Sequence, residues 1–286
     1  MKITDETHIL IVGLGLLGGS YARALTRAGL KVGAIAHKQA DLDFAMGEGF
    51  VHEGAAFPDP ALIGKADIVV FALYPHIFRT WIQENQRLLK PGAILTDVTG
   101  VKRCIVYDIQ DMLRSDVEFI AAHPMAGREV YGVRNSDDSI FRIANYIVVP
   151  TAKNTPEAIA VCRQLGELLG FARISELSPE EHDEMIGFVS QLTHCIAISL
   201  MTCSDSEHLG LYTGDSFRDL TRIARINENM WTELFLDNQD ALLHQMDLFS
   251  AEFNRLRNML ADGDAEGMKA MMRKSTVRRI ALDEGR

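Results

Sequence analysis

A short β-rich run, His8–Val12, enters Gly13-Leu14-Gly15-Leu16-Leu17-Gly18-Gly19-Ser20, and a helical pattern follows to about Arg27. No other stretch restricts the fold as much. G-x-G-x-x-G with a strand before it and a helix after it opens a βαβ unit and receives the pyrophosphate of a dinucleotide. Gly13 permits the tight turn. Gly15 lets backbone N–H groups approach the phosphates, and Gly18 lets the helix pack closely on the strand. Leu16 and Leu17 begin the helix, whose N-terminus faces the phosphates with a partial positive charge. The second strand, residues 31–36, ends on Ala36 where NAD-dependent enzymes usually carry an Asp or Glu for the ribose 2′-hydroxyl. His37 and Lys38 follow, two potential cations and no carboxylate. This favours NADP+ over NAD+ as the cofactor.

Strands and helices then alternate. Residues 66–73 form a continuous apolar run, as expected of a strand buried on both faces. Residues 76–89 read as a helix broken by Lys90-Pro91-Gly92, and 93–96 as the next strand. The turn from Thr96 to Lys102 leads into a helix reaching about Leu113. Asn145–Val149 and residues 171–174 are further strands, with a helix over 155–169 between them. The pattern predicts an α/β fold with a doubly wound, Rossmann-type parallel sheet.

At Ser178 the pattern changes. Ser178-Pro179-Glu180-Glu181 is a capping box with proline at the first helical position, and no convincing strand follows to the end of the chain. The expected division is a dinucleotide-binding domain over 1–177 and an all-α domain over 178–286. On the first helix of the second part, Met185, Val189, Leu192, Ile196 and Leu200 form an apolar stripe at 3.6-residue spacing. Ser190, Gln191 and His194 lie opposite, towards solvent or a cleft. Arg218 and Arg222 fall one turn apart, which alone describes a surface pair. The long amphipathic helices over 240–260 and 265–282 exceed what so small a domain can bury, and point to a helical dimer interface.

The stretch Ala121-Ala122-His123-Pro124-Met125-Ala126-Gly127 ends an apolar strand on a histidine. The proline after it keeps His123 extended, at the strand edge where open α/β sheets place their chemistry. With 39 acidic against 29 basic residues the formal net charge is −10, which argues against nucleic acid or an anionic membrane surface as partner. Four cysteines without a C-x-x-C pair read as reduced thiols of a cytoplasmic protein. The N-terminus lacks the apolar core of a signal peptide, and uninterrupted apolar runs such as 195–198 are far shorter than a membrane span. No metal-ligand spacing is present. Three readings of these residues remain: a dehydrogenase acting through His123, a β-hydroxyacid-type or imine-reducing enzyme on a similar plan, and a non-catalytic dinucleotide sensor. Residues 180–203 contain no lysine, which counts against the hydroxyacid enzymes.

Taken together the motifs resemble the prephenate/arogenate dehydrogenases of tyrosine biosynthesis. The resemblance rests on the glycine run and on His123-Pro124-Met125-Ala126-Gly127 with Glu129 and Gly132. It also rests on Ser178–Asp183, on Ser190-Gln191-Leu192-Thr193-His194, and on Phe217–Ala224 followed by Met230-Trp231. It implies a dinucleotide domain followed by a helical dimerisation domain, with prephenate or arogenate bound between them. It implies that His123 is the catalytic histidine hydrogen-bonded to the substrate's ring hydroxyl, that His194 binds substrate, that Arg222 binds a substrate carboxylate, and that Glu129 lines and gates the site. Ser190 shares the substrate-facing stripe with His194. The chain departs from the family at Gly100, where a serine is usual, so that Thr99 is left to supply the hydroxyl. It departs again at Arg128, Gln191 and Thr193, all positions that bear on substrate choice.

Overall fold

A computed structural model describes residues 1–128, 130–205 and 208–284. They pack into two compact units, Met1–Asn238 and Gln239–Arg286. Among the described residues of the first unit, nine strands form two sheets: β1 His8–Val12, β2 Lys31–Ile35, β3 Glu53–Ala55, β4 Ile68–Phe71, β5 Ile94–Asp97, β6 Glu118–Phe119, β7 Ala121–Pro124, β8 Asn145–Val149 and β9 Arg173–Glu176. The first sheet is parallel, in the order β3-β2-β1-β4-β5-β6. Alternate residues of each strand face opposite layers. In β1, Ile9 and Ile11 join a core with Tyr21, Leu25, Val32 and Val70. Leu10 and Val12 join a second core with Phe71, Phe78, Trp81 and Ile105. Both faces are covered, which explains the unbroken apolar runs.

The register sets Ile35, Val12, Phe71 and Asp97 in one row along the carboxyl edge. There the chain does something an all-parallel sheet does not. Ile120 N–H still bonds the Leu95 carbonyl at 3.0 Å, but Ala122 N–H donates instead to the Asp97 carboxylate at 3.1 Å. A side chain has taken the ladder position, and the strand swings into the second sheet, β7-β8-β9. β7 and β8 run antiparallel, with His123 opposite Ile147. This corrects the expectation of a parallel strand at Asn145–Val149. Among the described residues from Met125 to Ala144 the connection carries the short turns Val133–Asn135 and Asp138–Phe141 and no crossover helix, and the strand returns in the opposite sense. Pro124, which cannot donate to a ladder, ends a strand paired on one side only.

From Pro179 onward the described residues are helices and turns. The capping box at Ser178 is formed on both sides, with the Ser178 hydroxyl accepting from Glu181 N–H and the Glu181 carboxylate accepting from Ser178 N–H. The expected apolar stripe is only partly inward. Met185 and Val189 are exposed, while Ile186, Gln191, Leu192 and Ala197 are buried. Residues Gly187–Leu192 form a π-turn. The wider turn slips the helix face, so a stripe read at constant 3.6 spacing drifts off the core. The run Pro179–Thr202 has the length and mean hydropathy, 1.4, of a membrane span. Its buried His182, Asp183 and Gln191 are nevertheless hydrogen-bonded to protein partners, as in an interior wall of a folded domain.

The second unit consists of helices Gln239–Ala261 and Ala265–Glu284, packed on each other and joined through Gly263 at φ +68°. Leu243, Phe249, Phe253, Leu260, Met272 and Ile280 on these helices are exposed.

Candidate active site

The glycine run is built as its spacing requires. Gly13 has φ +102°, and a Cβ there would lie 2.4 Å from the Ala72 carbonyl oxygen. A Cβ on Gly18 would lie 1.9 Å from the Gly13 oxygen, so the helix sits directly on the turn. Gly15 is the N-cap of Leu16–Arg27. It supplies no side-chain cap, no acidic residue stands in the first turn, and a Cβ there would meet nothing within 4 Å. The N–H groups of the first turn, Leu16 and Leu17 among them, are thus left to an anion from outside. A pyrophosphate fits this cradle. His37 and Lys38 are exposed just beyond β2, after buried Ala36, at the same edge.

Three strand spacings away, about 14 Å, β7 carries His123. Its imidazole keeps some solvent contact but sits deep among protein atoms. Burial, then the neighbouring His182 and Lys102, push its pKa well below the ordinary histidine value. Its Nε2 lies 4.0 Å from where a Cβ on Gly100 would stand, with Leu234 beside it. Its Nδ1 lies 2.8 Å from His182 Nε2, and His182 Nδ1 lies 2.7 Å from Asp183 Oδ1. Asp183 accepts N–H bonds from Lys102 and Arg103, each at 2.8 Å. It so caps the helix Arg103–Met112, whose own N-cap residue supplies no side-chain bond.

Beneath this chain lies a second network. Lys102 and Asp97 are fully buried and paired at 2.7 Å. Lys102 Nζ also donates to the Thr99 hydroxyl at 3.0 Å, which is itself bonded to the Asp97 carboxylate. Thr99 is 4% exposed. The hydroxyl expected to serve the substrate is committed to the strand end, because Asp97 needs donors once it is out of water. At Gly100 of the same turn a Cβ would meet only ordinary contacts, with Leu234 at 3.6 Å and His123 Nε2 at 4.0 Å.

On the helical side, His194 Nδ1–H donates to the Ser190 carbonyl at 2.8 Å, and its ring lies on Trp231 with centroids 3.7 Å apart. Trp231 and Leu234 are one turn apart on the helix Glu228–Asp237, so one helix touches both His194 and the surroundings of His123. Gln191 holds that helix in place. Its Nε2 donates to the Leu234 carbonyl at 2.8 Å, and Asn238 Nδ2 donates to its Oε1 at 2.7 Å. Of the other departures, Thr193 donates to the Ser190 carbonyl at 2.6 Å and Arg128 pairs with Asp137 at 2.6 Å. Ser190 is half-buried on the π-turn. Arg222 is exposed on the turn Arg222–Ala224, which packs on the His194 helix. Glu129 lies outside the described residues. Among the described residues no three His, Cys, Asp or Glu side chains converge as a metal site. His182 and Asp183 lie within the Ser178–Asp183 motif, but the sequence alone shows no task for them, nor for Lys102 and Asp97. A His-Asp pair in the first turn of a capped helix was the one local signal.

Residues 21–175 match the family model "prephenate dehydrogenase, nucleotide-binding domain", and residues 178–274 match "prephenate dehydrogenase, dimerization domain". The chain is 29% identical to the prephenate dehydrogenase of Bacillus subtilis over 91% of this chain and 72% of that one. It is 28% identical to the cyclohexadienyl dehydrogenase of Zymomonas mobilis over 98% and 97% of the two chains. The solved prephenate dehydrogenase of A. aeolicus, in complex with hydroxyphenyl propionate and NAD+, superposes with a TM-score of 0.89 at 28% identity, covering 98% of this chain and all of the other. The chain belongs to the prephenate dehydrogenase family.

Proposed function

We propose that this protein oxidatively decarboxylates prephenate to 4-hydroxyphenylpyruvate, with a nicotinamide dinucleotide as hydride acceptor. The observation that carries the reading is His123: a half-buried histidine at a strand end, its pKa held well below the ordinary value by its surroundings, its Nε2 beside Gly100, at the same sheet edge as the glycine cradle. When bound, the nicotinamide accepts the hydride from the substrate's carbinol carbon. His123 Nε2 receives the hydroxyl proton as the carbonyl forms. The ring carboxylate leaves as CO2, its bonding electrons complete the aromatic ring and move the carbonyl π pair onto oxygen, which takes the proton back from His123 as the phenol forms, and the step becomes irreversible. Arg222 grips a substrate carboxylate in a planar, bidentate fashion, and His194, steadied by Trp231, binds the substrate with Ser190 and Glu129. The alternative substrate is arogenate, which yields tyrosine by the same steps. Prephenate and arogenate share the reacting ring and differ in the side chain away from it.

The same reading assigns dinucleotide binding to residues 1–177 and substrate closure to residues 178–286. Ala36, His37 and Lys38 support NADP+ over NAD+. A homodimer through the C-terminal helices is supported by their exposed Leu243, Phe249 and Phe253, and a cytoplasmic location by four free thiols. Initial rates with prephenate or arogenate, each with NAD+ or NADP+, test the assignment. Turnover of prephenate, faster with NADP+, is expected. Activity with arogenate alone moves the assignment to arogenate, and no activity in any combination overturns it.

A further inference from the structure

The chain Asp183–His182–His123 has a direction. Both Asp183 oxygens accept backbone N–H bonds, from Lys102 and Arg103, so the carboxyl stands as an acceptor towards His182. His182 Nδ1 at 2.7 Å must then donate to it. A neutral His182 with its proton on Nδ1 has only a lone pair on Nε2, and that lone pair meets His123 Nδ1 at 2.8 Å. The proton between the two rings therefore belongs to His123 Nδ1. We propose that His182 and Asp183 are positioning residues that hold His123 in its Nδ1–H tautomer, so that the Nε2 lone pair is the one presented beside Gly100. The proposal rests on the reading of His123 as acceptor of the substrate's hydroxyl proton.

The intervening imidazole has a physical use. A carboxylate placed directly on His123 Nδ1 would favour the imidazolium and raise its pKa, leaving less of the base free at neutral pH. A neutral histidine passes on the tautomer without the charge. Burial, opposed in part by Asp183, keeps the His182 pKa below its ordinary value, so the spacer itself stays neutral. The groups facing the two rings are Lys102 from the turn after β5, Asp97 at the end of β5, and Asp183. The spacer is also rigid. It sits in the first turn of a helix closed by a two-sided capping box, and Asn238 Nδ2 donates to the Asp183 carbonyl at 2.9 Å.

Nitrogen-15 spectra of the imidazoles in the full-length protein, labelled at histidine, report the tautomer directly, with His123 assigned through His123→Asn. The wild type is expected to show His123 as the neutral Nδ1–H form at pH 7.5. In His182→Phe the ring loses its acceptor, the two tautomers mix, and kcat falls about 10²-fold while KM stays within about threefold, because no substrate contact is touched. His182→Gln puts an amide oxygen near the Nε2 position and is expected to recover most of kcat and the Nδ1–H signal. A wild-type His123 protonated on Nε2 overturns the proposal. So does a His182→Phe protein with unchanged tautomer and unchanged kcat. The spectra need no substrate. An Nδ1–H signal that is lost in His182→Phe, in an enzyme that turns over neither prephenate nor arogenate, upholds the relay and overturns only the assigned function.

Discussion

Lys102→Met isolates what the buried network beneath His123 contributes. Both members of the Lys102–Asp97 pair are fully buried at 2.7 Å, so removing the ammonium leaves a carboxylate in a dry site. Stranding one partner of a buried pair costs about 3–5 kcal/mol. Asp97 retains bonds from the Thr99 N–H, the Thr99 hydroxyl and the Ala122 N–H, which places the expected loss near the lower end, about 3 kcal/mol. For a chain of this size that is a fall in Tm of about 6–10 °C, read by calorimetry at fixed protein concentration because assembly shifts Tm. Adding Asp97→Asn removes the stranded charge, so the double variant is expected to be about 1–2 kcal/mol more stable than Lys102→Met alone. Activity should fall as well, since the Asp97 carboxylate anchors the N–H of Ala122, the residue before His123. A Lys102→Met protein within about 1 kcal/mol of wild type would refute the reasoning, because water must then reach Asp97.

Three further expectations follow from individual contacts. Gly18→Ala places a methyl 1.9 Å from the Gly13 oxygen; helix and turn must separate, with a loss of about 3 kcal/mol and at least tenfold weaker dinucleotide binding by titration calorimetry. Gly100→Ser meets only ordinary contacts, 3.6 Å to Leu234 and 4.0 Å to His123 Nε2; stability should stay within about 0.5 kcal/mol while the new hydroxyl, within reach of Nε2, lowers the substrate KM severalfold. Acidification should destabilise the protein. His123 and His182 both have folded-state pKa values below the ordinary 6.5, His123 well below. The unfolded chain thus takes up protons through about pH 6.5 while the folded chain does not, and stability present above that pH is lost as pH falls towards 5, by up to about 1.4 kcal/mol per unit for each ring. Urea midpoints between pH 5 and 7 should be less steep in pH for His123→Asn than for wild type, and equal slopes would contradict the assignment.

Much of the fold could be read locally because its signals are local. The glycine run, the capping box at Ser178, the αL cap at Gly170 with φ +84° and the Asn227 cap on Met230 N–H at 3.1 Å each depend on a few neighbouring residues. The helix Pro60–Lys65 is marked in the same local way: Asp59 caps it, with proline at its first position. Other features depend on partners far along the chain. Strand direction at β8 follows from how residues 125–144 are routed, which no periodicity records. The π-turn at Gly187–Leu192 displaces Met185 and Val189 from the expected core face. His123 and His182 are 59 residues apart, and Asp183 and Lys102 are 81 apart. The task of Thr99 is fixed by the buried Asp97–Lys102 pair rather than by its place in the motif.

The most direct measurement is hydride transfer in His123→Asn. The asparagine amide falls near the Nδ1 position and keeps a donor towards His182, while Nε2 is removed. Single-turnover rates with saturating dinucleotide, together with the substrate Kd, separate chemistry from binding. The expected result is a fall in the transfer rate of about 10²–10⁴ with Kd within threefold of wild type. A transfer rate within threefold of wild type would contradict the assignment of His123 as proton acceptor.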